Sequence, residues 1–301
     1  MLRLIALLIW IWLLSCTYAH SSHASNIPTN EVVLKVRVLG ETDIGLTETV
    51  QWQILDLALQ KSGRTYDLAP STHIRAPRRV AKQLKALGDE GNIIWAIATP
   101  EREDTMRAVR IPNLQGLVSY WNFIVREEDV LQFSNVDALD DFKEYSFLLG
   151  ERWEVTSLME SKGIEVRYGA RPNLVKMLSR GRADVSMYPA IFRKTLDRFG
   201  AAGLGLAHLP NVILYFPMDP YFFVARDGSD ELHEAVSIGL AKAMSDGSYD
   251  TLLSTHPYTR DIFNTLPYDY DIVLEFDNPE LTEETRRLLK TYRSELPSRL
   301  P

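Results

Sequence analysis

Cysteine is nearly absent from this sequence: Cys16 is the only one in 301 residues. Beyond that position there is no disulfide, no thiol nucleophile and no cysteine-based metal site. Basic residues form no long block, and the formal net charge is −7. A nucleic-acid binder needs a cationic surface to neutralise phosphates, so that class is disfavoured. Histidine is sparse, with six in all and two of them, His20 and His23, near the start. No H-E-x-x-H occurs, and no histidine and carboxylate share metal-ligand spacing. There is no G-x-S-x-G elbow. Gly203 and Gly205 in AAGLGLAHL lack the third glycine and the following acid of a dinucleotide loop. The sequence therefore implies no metal and no cofactor, and the familiar catalytic motifs are missing.

What is present is ordinary globular composition, 46% hydrophobic and 24% charged. The length suits one large domain or two lobes. The first stretch stands apart. Arg3 precedes an unbroken apolar run, Leu4–Leu14, short for a membrane span but suited to the core of a signal peptide. Thr17-Tyr18-Ala19 and Ser22-His23-Ala24 both fit small-x-small cleavage sites, so residues 1–24 are expected to direct export and be removed. An uncleaved anchor is the alternative. Leu13-Leu14-Ser15-Cys16 also resembles a bacterial lipoprotein signal, which would make Cys16 a lipid anchor. Cleavage removes one base and no acid, so the exported chain is more acidic still.

The remainder alternates strand and helix patterns. VVLKVRVLG (32–40) alternates apolar and basic residues and stops at glycine, as a strand does. Residues 47–62 read as a helix that a threonine can cap and Ser62-Gly63 can end. A short strand (65–71), an amphipathic helix (78–91) and a continuous apolar strand (92–99) follow. The pattern restarts after residue 136: strand before Gly150, helix 151–163, strand, helix 171–181, strand 182–190, helix 191–200. Two apolar strands flank a proline-rich turn in 209–229, helices occupy 231–256, and one further helix is expected at 282–292. This is α/β layering on mainly parallel sheets. No linker separates the two units, so they must share crossing strands, for which 123–127 and 222–226 are the candidates.

In such sheets a ligand binds beyond the carboxyl ends of the strands. Those ends carry Gly40-Glu41-Thr42, Thr99-Pro100-Glu101-Arg102, Gly150-Glu151-Arg152-Trp153 and Met187-Tyr188-Pro189. They offer guanidinium groups that can fork a carboxylate, hydroxyls, an indole and a phenol. Residues 151–153 also open a predicted helix, whose free N–H groups favour an anion.

These segments, in this order, resemble a type 2 periplasmic solute-binding protein of family 3, the class serving polar amino acid transporters. Thr99-Pro100-Glu101-Arg102 matches the T-x-E-R signature after a strand of the first lobe. Val136 to Gly150 matches the opening of the second lobe. Leu174 to Asp184 matches its helix–Gly–basic–x–Asp segment. Pro220 to Val224 matches the return strand, and Leu232 to Tyr249 the C-terminal helix with its D-G turn. The resemblance implies a two-lobe fold: residues 32–124 in the first lobe, 125–221 in the second, and 222–301 returning to the first with a tail. It implies a small-molecule ligand and an inner-membrane partner, an ABC transporter permease or a sensor.

By the same resemblance Arg102 forks the carboxylate of the ligand and Thr99 assists. The plain alternative for Arg102 is a surface ion pair contributing about 0–1 kcal/mol. Arg152 and Trp153 fall where the family presents a Gly-Thr/Ser pair to the same carboxylate. Tyr120 and Trp121 could stack on a ligand, with aromatic core as the alternative. The aspartate that usually pairs with a ligand ammonium would fall at Pro189, beside Tyr188. Glu41 could replace it. The scaffold also resembles periplasmic dehydratases and the non-catalytic half of murein lyases, for which Glu41 and Glu151 are the acid/base candidates. A third reading is a structural accessory with no ligand.

Overall fold

The computed structural model describes residues 33–40, 45–73, 79–151, 153–170, 173–192, 203–263 and 270–299. Eleven strands among them form two sheets. The first sheet has the order β2-β1-β3-β10-β4, built from β1 (Leu34–Val38), β2 (Tyr66–Pro70), β3 (Ile93–Ile97), β4 (Met106–Ala108) and β10 (Pro220–Ala225). β1 runs parallel to both β2 and β3, and β10 returns antiparallel between β3 and β4. The second sheet has the order β11-β9-β5-β8-β6-β7. Its strands are β5 (Tyr120–Arg126), β6 (Ser146–Leu149), β7 (Glu165–Tyr168), β8 (Val185–Pro189), β9 (Leu206–Tyr215) and β11 (Ile272–Glu275). β6 is parallel to β7 and β8, and β11 to β9, while β5 is antiparallel to both its neighbours. Both sheets are thus mixed, because the strands returning from the other sheet run backwards through them.

Period-two alternation decides how the layers form. Ile93 of β3 and Phe222 of β10 enter the large core, and their neighbours Ile94 and Phe223 enter a smaller one on the opposite face. Phe123 and Phe147 of the second sheet do the same against Ile124 and Leu148. Helices cover these faces. α1 (Val50–Ser62) starts at Thr49, whose hydroxyl accepts from the Trp52 N–H at 3.2 Å, and ends at Gly63 in the left-handed region. α2 (Val80–Leu87), α3 (Pro100–Thr105), α4 (Glu154–Ser161) and α5 (Leu174–Ser179) follow their respective strands. α6 (Asp230–Ser245), α7 (Ser248–Thr255) and α8 (Arg260–Phe263) follow β10, and α9 (Glu283–Arg299) closes the chain.

The strands expected to cross between sheets do not do so. β5, with residues 123–126, lies wholly in the second sheet, and β10 lies wholly in the first. The chain passes between them in the non-strand segments 109–119 and 216–219. These two segments are sewn together by buried hydrogen bonds. The Ser119 hydroxyl donates to the Met218 carbonyl at 2.9 Å and accepts from its N–H at 3.0 Å. Asp219, fully buried, accepts from the N–H groups of Leu114 (2.9 Å) and Gly116 (2.7 Å). The turn it holds carries Gln115 at φ 53° and Gly116 at φ 83°.

β11 extends the edge of the second sheet beside β9. The chain then turns at buried Asn278, whose side chain donates to the Pro217 carbonyl at 2.9 Å. α9 packs back on the first sheet through Leu288. The tail therefore contributes to both sheets. Most of the expected 191–200 helix lies outside the described residues.

Candidate functional site

ATPERED (98–104) builds the site from local rules. Thr99 has extended backbone, and its hydroxyl accepts from the Arg102 N–H at 3.3 Å, so it caps α3. Pro100 stands at the first helical position, where its missing N–H costs nothing. The charged cluster is thus a short helix at the carboxyl end of β3, with two working faces. Glu103 turns inward, 9% exposed. It accepts from Thr285 at 2.5 Å, Thr282 at 2.9 Å and Arg110 at 2.8 Å, and so anchors the start of α9. Arg102 turns the other way. One of its Nη1 hydrogens goes to the Ile97 carbonyl at 2.6 Å, which fixes the guanidinium at the strand end.

Arg102 and Thr99 line a cavity of about 790 Å³ with Arg79 and Lys82 of the α2 start, Glu101 and Glu280. Three cations against two carboxylates leave its wall net positive, and Met106 and Val80 supply apolar contact. A pocket of this size, with five charged side chains on its wall, fits a small polar molecule.

The aromatic candidates gather elsewhere, on the second sheet. Trp153 lies 6.0 Å from Trp121 and 5.1 Å from Tyr188, ring centre to ring centre. Trp121 is buried, and its indole N–H meets no acceptor among the described residues. The Trp153 indole lies over Gly150 so closely that a Cβ there would come within 2.5 Å of its Nε1. Tyr120 is not in this cluster. It is buried against Tyr215 at 5.0 Å, and the Arg293 guanidinium lies 3.9 Å over the Tyr215 ring. Glu41 and Arg152 lie outside the described residues. Asp184 accepts from the Ser146 N–H and hydroxyl, both at 2.8 Å. Burial would raise its carboxyl, but these bonds and Arg126 hold it below the usual range.

The predicted helix at 151 begins three residues later, at Glu154. The helix start expected to welcome an anion is therefore occupied by the chain's own carboxylate, which sits by its own backbone N–H. Glu154 is mostly withdrawn from water, and no hydrogen-bonding side chain reaches it among the described residues. Burial pushes its carboxyl up, while its backbone N–H and the Arg102 guanidinium pull it back. Arg102 follows a strand of the first sheet and Glu154 a strand of the second. Sequence reading named 151–153 and stopped one residue short. The only local signal was an acid in the first helical turn.

No protein-family model matches the chain, and no curated protein sequence matches it. Solved structures do. The probable amino-acid ABC transporter extracellular-binding protein ytmK from Bacillus subtilis aligns with a TM-score of 0.58 at 12% identity, covering 75% of this chain and 98% of that one. The fold is that of the two-lobe periplasmic binding proteins. An ancestral arginine-binding protein bound to arginine aligns at 0.51 and 14% identity, over 75% of this chain and 98% of its own. A histidine kinase sensor domain similar to periplasmic binding proteins aligns at 0.52 and 12%, over 75% and 96%. In this binding-protein fold β3 and β6, the strands leading to Arg102 and Glu154, belong to different sheets. No helix among the described residues is long and apolar enough to cross a membrane. No group of three or more metal-ligating acids and histidines occurs among them.

Proposed function

We propose that this chain is an exported solute-binding protein whose lobes close on a small ligand through its anionic group, with Arg102 as the clamp and Thr99 beside it. The closed form is then read by a membrane partner, an ABC transporter or a sensor. The observation that carries this reading is the placement of Arg102. Its guanidinium is pinned at the end of β3 by the Ile97 carbonyl and stands on the wall of a cavity large enough for a metabolite. A planar guanidinium fixed in this way loses little entropy when it forks a carboxylate. Arg79 and Lys82 raise the potential of the same wall. The solved structures of this fold include a transporter binding protein and a kinase sensor domain, which supports either partner. The signal-peptide pattern of residues 1–24 supports export.

The test is thermal unfolding of the exported chain against amino acids, 2-oxo acids, small peptides and sugars. A carboxylate ligand at a hundredfold excess over Kd stabilises by about 2.7 kcal/mol. In Arg102→Ala that shift is expected to vanish, because removing one partner of a desolvated charge pair costs roughly 2–5 kcal/mol. A carboxylate shift that survives the substitution removes Arg102 from the site. A folded protein that responds to nothing moves the reading to a structural accessory.

A further inference from the structure

We propose that the tail turn 277–281 is a latch on the ligand site, which holds the two sheets in one arrangement until an anion at Arg102 displaces Glu280. The inference deepens the proposed function, naming how that site is regulated, and rests on it. The turn is a short tether. Before it, β11 pairs with β9 in the second sheet, and the Phe276 N–H donates to the Tyr215 carbonyl at 3.0 Å. After it, the hydroxyls of Thr282 and Thr285 donate to Glu103, on the helix that follows β3 of the first sheet, at 2.9 and 2.5 Å. The five residues between these attachments would span roughly 17 Å if extended. They are folded back instead. The Glu280 N–H donates to the Asn278 Oδ1 at 3.0 Å, and the Leu281 N–H to the Asn278 carbonyl at 3.4 Å. Asn278 is buried, and its amide donates at 2.9 Å to Pro217, in a segment where the chain passes between the sheets. Closed, the turn leaves little slack for one sheet to move against the other. Unrolled, it supplies that slack.

The same turn is a wall of the cavity. Glu280 lines it together with Arg79, Lys82 and Arg102, so the tail contributes a carboxylate to a wall with three cations. Opposite charges on one wall attract, and this attraction favours the closed turn. An anion at Arg102 changes both sides of that balance. It satisfies the cations and repels the carboxylate, so the turn is held less firmly. By linkage the effect is mutual: a turn that leaves the wall more easily lets the anion bind more tightly. The freed turn is then a mark of the liganded form, beside lobe closure, for a membrane partner to read.

Two measurements on the exported chain test the latch. No cysteine follows Cys16, so spin labels can be placed at Gln53→Cys on α1 and Lys176→Cys on α5, both exposed, one beside each sheet. Electron–electron resonance then reads the distance between them. Without added ligand the parent chain is expected to give one narrow distribution. Asn278→Asp keeps the acceptor for the Glu280 N–H and sets a carboxylate against the Pro217 carbonyl, and it is expected to add a second, displaced population. A broad distribution in the parent, or an unchanged one in the folded variant, overturns the tether. The second measurement is titration calorimetry with 2-oxo acids, dicarboxylates and amino acids as probes. Glu280→Gln is expected to bind those that the parent binds about two- to fivefold more tightly, the scale of a lost exposed charge pair. A probe that binds the parent is also expected to produce the displaced population. Equal or weaker binding by Glu280→Gln overturns its part in the latch. If probes bind and Arg102→Ala abolishes them while the distances never change, the anion clamp stands and the latch falls. If no probe binds the folded protein, the clamp falls, and a tail that still releases the sheets in Asn278→Asp is a fixed strap that no anion opens, which overturns the latch as well.

Discussion

Asp219 shows how much one side chain holds at the junction of the two sheets. It is a carboxylate with no exposure, and its two oxygens each accept a backbone N–H, from Leu114 and Gly116. Without it those donors would be buried and unpaired in a turn that already carries Gln115 at positive φ. Asp219→Ala is therefore expected to cost about 2–6 kcal/mol, from two buried groups at roughly 1–3 kcal/mol each. Asp219→Asn should fall between it and the wild type, because an amide has one acceptor oxygen for two N–H groups. Burial pushes the Asp219 carboxyl well up, against the pull of the Leu114, Gly116 and Asn113 N–H groups. In the folded state the group thus keeps its proton to higher pH than in the unfolded chain. Its linked stability is fullest below about pH 4, the ordinary aspartate range, and declines as pH rises toward the folded value. Urea unfolding across pH should show this decline in the wild type and lose that component in Asp219→Asn. An unchanged slope would mean the carboxyl is not perturbed.

At the scale of elements, the helix crossing of α1 and α6 has almost no tolerance. A Cβ on Gly239 would stand 1.7 Å from the Ala58 carbonyl oxygen, a clash with backbone that no rotamer can relieve. Gly239→Ala must push the helices apart, and overpacking of this kind costs about 1–3 kcal/mol or more, despite the gain in helix propensity. Differential scanning calorimetry should show a lower Tm, and an equal or higher Tm would deny the close approach. The reason for Gly239 in this helix lies some 180 residues away in the sequence. The contrast between local and distant causes runs through the chain. Strands β1 and β3 were legible because alternation and continuous apolar runs are local, as was the Gly63 stop. The four-residue β11 was not legible, since its parallel partner β9 lies about 60 residues upstream and the strand itself barely signals. Asp219 read as a residue of a proline-rich turn, and Glu154 as another acid at a helix start. Burial and distant partners gave Asp219 its role. Residues 123–127 and 222–226 were the candidates for crossing strands because no linker separates the two units, yet each strand lies within its own sheet.

For the whole molecule, the tail is the feature that local reading could least supply. β11 is hydrogen-bonded into the second sheet, Asn278 ties the next turn to the Pro217 carbonyl, and α9 lies on the first sheet with its start fixed by Glu103. The Arg293 guanidinium then reaches back to Glu275 and over the Tyr215 ring. This strap spans the place where the chain crosses between sheets, so motion of one sheet against the other must strain it. Glu103 and Arg102 are neighbours on α3, one holding the strap and the other facing the cavity. The coupling can be tested by freeing one end. Glu103→Ala removes the acceptor for Thr282, Thr285 and Arg110. Because Glu103 is nearly buried and Arg110 is about a third exposed, the loss should be about 2–4 kcal/mol, below that of a fully buried pair. Its distribution is more telling than its size. Amide hydrogen exchange should quicken first in 272–299 while β3 and β10 keep their protection, the pattern of a strap opening as its own unit. A uniform rise across both sheets would instead show that the tail unfolds only with the rest, and that α3 does not connect the cavity to it.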